Sequence, residues 1–95
     1  MDKIEIQSEL SQMKEELLSV YHIDKIALFG SYATDNATDS SDIDIAVWSH
    51  KKDYFSLLQL QEKLTEKFQK TIDIGYYDSF RSFIKKQIDS ELYYV

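Results

Sequence analysis

Apolar and polar positions along the chain change their period several times, and each change marks an element. From Asp2 to about Tyr21, the residues Ile6, Leu10, Met13, Leu17, Val20 and Tyr21 recur at steps of three and four. That spacing predicts an amphipathic helix, with Glu9, Lys14, Glu15 and Glu16 on its outer face. Ile23 to Phe29 is a short β-compatible run that stops at Gly30-Ser31. The stretch Thr34-Asp35-Asn36-Ala37-Thr38-Asp39-Ser40-Ser41 is small, polar and turn-prone, so a loop is expected between Ser31 and Asp42, opening with a helical turn. Asp42 to Trp48 then alternates as a second strand. Asp53 has the character of an N-cap for a helix whose stripe is Leu57, Leu60, Leu64 and Phe68. Thr71 to Tyr77 reads as a third strand, and Asp78 or Ser79 as the cap of a last helix carrying Phe80, Phe83, Ile84 and Ile88. The tail Leu92-Tyr93-Tyr94-Val95 is suited to an edge strand. The order α-β-β-α-β-α predicts an α/β (α+β) fold, a small mixed β-sheet with helices packed on it, and residues 1–95 as a single domain.

Composition narrows the chemistry. The chain has no cysteine, which excludes disulfide scaffolds, thiol catalysis, zinc ribbons and iron–sulfur clusters. It has no proline and only two glycines, so Gly30, placed at a strand end, stands out. A formal charge of -6 argues against a long nucleic-acid footprint, which needs a stripe of lysine and arginine, while leaving room for a nucleotide. Neither a signal-like start nor an apolar run of membrane-spanning length is present, so a cytoplasmic protein without a membrane partner is expected.

The pair Asp42 and Asp44 concentrates the chemistry. Residues two apart on a strand point the same way, so the two carboxylates share one face while Ile43, Ile45 and Val47 share the other. Neighbouring anions repel, and a divalent cation relieves that repulsion at neutral pH. Upstream, Gly30 lets a phosphate approach the backbone, and Ser31 and the following amides can donate to it. Asp73, between Ile72 and Ile74, faces the polar side of its own strand and meets the pair if the two strands are neighbours.

Phe29-Gly30-Ser31, ten intervening residues, Asp42-Ile43-Asp44-Ile45, and a later lone aspartate in Ile72-Asp73-Ile74 together resemble the signature of the polymerase-β-like nucleotidyltransferase superfamily. At this length the chain is most similar to the MNT-type minimal nucleotidyltransferases, which accompany HEPN-domain proteins. The resemblance implies a magnesium-dependent enzyme that moves AMP from ATP to a hydroxyl and releases pyrophosphate. It further implies catalytic and metal-binding roles for Asp42, Asp44 and Asp73 around two Mg2+ ions, and places the β- and γ-phosphates on Gly30 and Ser31. The implied acceptor is a tyrosine of a HEPN ribonuclease toxin, with this chain as the antitoxin in a hetero-oligomer. The alternative is a weakly active binding module that neutralises the same partner by occlusion. Transfer to a small molecule fits less well, since such relatives carry an extra substrate domain.

This chain departs from the pattern at Thr34 and Asp35, where many relatives have a basic residue and then glycine. Lys51, Lys52, Lys70 and Arg81 are candidates for the missing charge, and Asp35 or Asn36 for the left-handed turn. His22 and His50 are expected to be solvated or structural, Lys51-Lys52 to be a solvated corner, and the many aromatics to serve core packing, with the surplus suited to protein contact.

Overall fold

A computed structural model describes residues 1–95. Its elements in chain order are α1 (Lys3–Gln12), α2 (Lys14–Ser19), β1 (Ile23–Phe29), α3 (Gly30–Ala33), β2 (Ile43–Ser49), α4 (Tyr54–Phe68), β3 (Ile72–Tyr76), a 3-10 turn (Tyr77–Ser79), α5 (Ser82–Asp89) and β4 (Tyr93–Tyr94). The four strands form one mixed sheet in the order β3-β2-β1-β4. β1 runs antiparallel to both β2 and β4, whereas β2 and β3 are parallel.

Strand alternation creates two unlike faces. Ile43, Ile45 and Val47 of β2 are fully buried, together with Ile26 and Leu28 of β1 and Ile72 and Tyr76 of β3. They join Ile6, Leu10, Leu17, Leu57, Leu60, Leu64 and Phe68 in one hydrophobic cluster beneath α1, α2 and α4. Removing this much apolar surface from water is the main force holding the helices to the sheet. α4 starts where its sequence predicts: Asp53 Oδ1 accepts from the Phe55 N–H at 3.0 Å, and Oδ2 accepts from the Ser56 hydroxyl. The Tyr76 hydroxyl accepts from the Asp53 N–H at 2.9 Å and donates to the Asp53 carbonyl at 3.0 Å, tying the head of α4 to β3.

Several predicted boundaries move. The leading helix is not continuous to Tyr21 but breaks at Met13, whose φ of -97° and ψ of 2° leave the helical region. The Met13 N–H reaches back only to Leu10, a tighter turn that keeps Ile6, Leu10, Met13, Leu17 and Tyr21 buried while Val20 turns out to solvent. Strand β2 begins at Ile43, one residue after Asp42, and β3 spans Ile72–Tyr76 rather than Thr71 to Tyr77. Asp78 and Ser79 do not cap α5; they belong to the 3-10 turn, and the helix starts after Arg81 without a side-chain cap. Phe80 accordingly precedes α5, and Phe83 is exposed rather than packed, leaving Ile84 half-buried and Ile88 as the buried anchor.

The second face of the sheet carries Lys25, Ala27 and Phe29 of β1, Asp44, Ala46 and Trp48 of β2, and Asp73 and Gly75 of β3. α5 and its approach lie across it. The Phe80 ring meets Phe29 edge-on with centroids 5.9 Å apart, and a Cβ on Gly75 would come within 2.9 Å of the same ring. The sheet residues there are small, Ala27 and Ala46, and with Ile88 of α5 they are buried yet stand outside the main cluster.

Candidate functional site

Parallel pairing of β2 with β3 sets Asp44 directly beside Asp73, and antiparallel pairing with β1 sets Asp44 opposite Phe29. One row across the second face therefore reads Asp73, Asp44, Phe29, and the chain turns at the next residue, Gly30. Asp42, two residues before Asp44, projects from the same side just ahead of the strand. The sequence-predicted trio of aspartates is thus assembled at one corner of the sheet by a pairing that no local motif specifies.

Gly30 belongs to this corner for two reasons. Its φ is +73°, a region that side-chain-bearing residues enter at a cost. A Cβ there would also run into Asp44 Oδ2, with the Asp44 Cγ only 3.1 Å away. The turn then continues as α3, with Ser31 half-buried in its first turn and Tyr32 and Ala33 buried beneath.

The carboxylates feel one another. Burial raises Asp44 from its ordinary 3.8 to about 6, and the negative charges of Asp73, Asp42 and Glu91 add to the rise. A half-buried carboxylate facing three others is a place where a cation is strongly favoured, and an all-oxygen donor set suits a hard ion such as magnesium. As the side chains stand, no three His, Cys, Asp or Glu groups converge into a ready-made metal cage. Asp42 and Asp73 are exposed, and Asp44 between them is half-buried.

Glu91 is the member that sequence reasoning missed. It comes from the α5–β4 connection, and its Oε1 accepts the Gly30 N–H at 3.3 Å across a separation of 61 residues. Nothing in Ser90-Glu91-Leu92 carries a recognisable spacing.

The departure at Thr34-Asp35 has a structural counterpart. Asp35 takes the left-handed conformation, φ +61°, and its carboxylate pairs with Lys3 at 3.2 Å. Lys3 also donates to the Ala33 carbonyl, so a lysine from α1 that the sequence did not single out braces this loop. Among the candidates that were singled out, Lys70 donates to the Asp39 carbonyl at 2.6 Å and steadies the approach to Asp42. Lys51 and Lys52 follow the opposite end of β2, away from the aspartates. Arg81 directly follows Phe80, whose ring contacts Phe29.

His22 and His50, far apart in sequence, lie with ring centroids 5.8 Å apart, and His50 Nδ1 is 2.8 Å from Asp24 Oδ1. The antiparallel β1–β2 ladder brings them together, since Ile23 pairs with Ser49. This corner is at the far end of the sheet from the aspartates. The surplus aromatics gather there too: Trp48 stacks on Tyr77 with centroids 4.9 Å apart, and Lys25 stands over the Trp48 ring at 4.3 Å. No helix is long and apolar enough to cross a membrane.

Comparison with known proteins bears on the family and the fold. The family described as polymerase beta, nucleotidyltransferase matches residues 11–93. A candidate protein adenylyltransferase of Methanocaldococcus jannaschii is 33% identical over 98 residues, covering 96% of this chain and 95% of its own. The protein adenylyltransferase MntA of Thermococcus cleftensis is 32% identical over 92 residues, covering 96% and 93%. Among solved structures, a candidate minimal nucleotidyltransferase superposes with a TM-score of 0.80 at 19% identity, covering 98% of this chain and 95% of that one. A chain from a toxin–antitoxin crystal structure with AMP-PNP gives 0.78 at 22% identity, covering 93% and 70%. At these identities the two structures share the fold.

Proposed function

This chain belongs to the polymerase beta nucleotidyltransferase family, and from that membership we propose that it is a protein adenylyltransferase acting as the antitoxin of a HEPN-domain ribonuclease. The reaction transfers AMP from ATP to a tyrosine hydroxyl of the partner and releases pyrophosphate. The observation that carries this reading is the row Asp44–Asp73 with Gly30 pressed against Asp44, which puts three carboxylates and a phosphate-tolerant turn at one corner. The names of the full-length relatives supply the acceptor class.

In this reading Asp42, Asp44 and Asp73 would hold two magnesium ions, whose chemistry there would be to lower the pKa of the attacking hydroxyl and to neutralise charge on the pyrophosphate. Gly30 and Ser31 hold the β- and γ-phosphates, the glycine by letting the phosphate reach the backbone and the serine through its hydroxyl. Asp73 lies at the edge of the sheet, on β3, where an acceptor hydroxyl approaches without passing another strand. The deciding experiment incubates the chain with its HEPN partner, magnesium and ATP labelled on the α-phosphate. Label should appear on a partner tyrosine with the wild type and not with Asp42→Ala or Asp44→Ala, while complex formation persists.

Occlusion without chemistry is the second reading, and the departure at Thr34-Asp35, which puts no basic residue in the turn after Gly30-Ser31, favours it. A double Asp42→Ala, Asp44→Ala variant that still protects cells from the partner as well as the wild type would decide for occlusion.

A further inference from the structure

Glu91 stands where the proposed chemistry has no evident use for it. It is not on the sheet row, and its charge works against the aspartates by adding to the repulsion on Asp44. Its position is nonetheless well held. Its own N–H donates to the Ile88 carbonyl at 2.8 Å, and two residues later Tyr93 and Tyr94 pair with Leu28 and Ala27 of β1. The half-buried side chain then reaches back to the Gly30 N–H. A backbone N–H does not distinguish a carboxylate oxygen from a phosphate oxygen; both are anionic acceptors of similar size.

We infer that Glu91 is an internal occupant of the Gly30 amide, which a phosphate oxygen of the incoming nucleoside triphosphate must displace, so that Glu91 limits how tightly this chain holds nucleotide. The inference rests on Gly30-Ser31 being the phosphate-binding turn. Occupation by a tethered carboxylate opposes binding twice: the amide must be freed, and a negative charge remains beside the triphosphate. The same contact keeps the half-buried Gly30 amide satisfied when no phosphate is bound, where an unpaired N–H carries a cost.

The test is calorimetric titration of the full chain with magnesium–ATP and, separately, with magnesium pyrophosphate, which lacks the base and sugar. Glu91→Gln keeps an oxygen able to accept the Gly30 N–H and removes only the charge; Glu91→Ala removes both. Each should bind both ligands about three- to tenfold more tightly than the wild type, the size expected for one unit charge a few ångströms away in a solvent-exposed setting. Ser31→Ala is the control for the turn itself and should weaken binding. Unchanged or weaker binding in both Glu91 variants, with wild-type binding still dependent on Ser31, overturns this inference alone. A weaker response to magnesium by itself in Glu91→Gln also overturns it, because Glu91 would then be a metal ligand. Wild-type binding indifferent to Ser31 overturns the phosphate-turn reading and this inference with it.

Discussion

The two faces of β2 alternate along one seven-residue strand and do opposite work. Ile43, Ile45 and Val47 are sealed beneath α1, α2 and α4, with no polar or charged residue buried among them. Asp44, one step away on either side, faces Asp73 and Gly30 and carries charges that repel. The first face gains free energy by excluding water; the second retains a local cost in the place where a cation and a triphosphate are proposed to bind. A stability change on one face should therefore have little counterpart in chemistry, and a chemical loss on the other should leave the fold standing.

The sharpest break between the faces comes from Asp44→Ala. Transfer of label from ATP should fall by at least about a hundredfold, on the scale seen when a principal electrostatic group of an active site is lost. Its melting temperature should hold or rise, because a repelling charge has gone; a large drop in melting temperature would show that Asp44 is structural. On the opposite face, Ile45→Ala should cost about 2–5 kcal/mol in denaturant unfolding, through lost burial and the cavity left behind. Its activity per folded molecule should stay near that of the wild type.

Gly30→Ala should cross the divide. The positive φ alone costs about 1–3 kcal/mol in a residue with a side chain, and Asp44 must move to admit the methyl group. Stability and nucleotide binding should fall together in this variant, measured by thermal unfolding and calorimetry; loss of either one alone would separate the turn from the carboxylates. The smallest effect is on pH. Asp44 binds its proton more tightly in the folded chain, at about 6 against its ordinary 3.8, because of burial first and then Asp73, Asp42 and Glu91. The folded state therefore holds more protons across that window, and without magnesium its stability should decline as pH rises from about 4 to about 6. Solvent screening of a half-exposed group limits the decline to roughly 1 kcal/mol. Asp44→Asn should flatten this limb of the pH–stability curve, and an unchanged limb would place its origin elsewhere.

Much of this division was readable from residue order. Alternation around Asp42 to Val47 separated the faces, the Leu57, Leu60, Leu64 and Phe68 stripe marked the buried side of α4, and Asp53 marked its start. These signals are local, with periods of two or 3.6 residues and a cap acting within one turn. The break at Met13 was not readable, because a helix that bends to follow its core keeps the same three- and four-residue steps. The start of α5 was misplaced because Asp78 and Ser79 have capping side chains, whereas the packing of Phe80 on Phe29 and over Gly75 keeps the chain out of a helix until Ser82.

The sequence by itself determined which residues could carry charge into an apolar fold and which face each would take. It named Gly30, Ser31, Asp42, Asp44 and Asp73, since turn chemistry and strand parity are properties of neighbouring residues. Only the tertiary structure decided that Asp73 stands beside Asp44, that Glu91 reaches the Gly30 amide, that Lys3 braces Asp35, and that His22 meets His50. Each of those is a contact between distant parts of the chain, selected by the strand register and helix docking that bury the whole core together, and that free energy has no local spacing to reveal it.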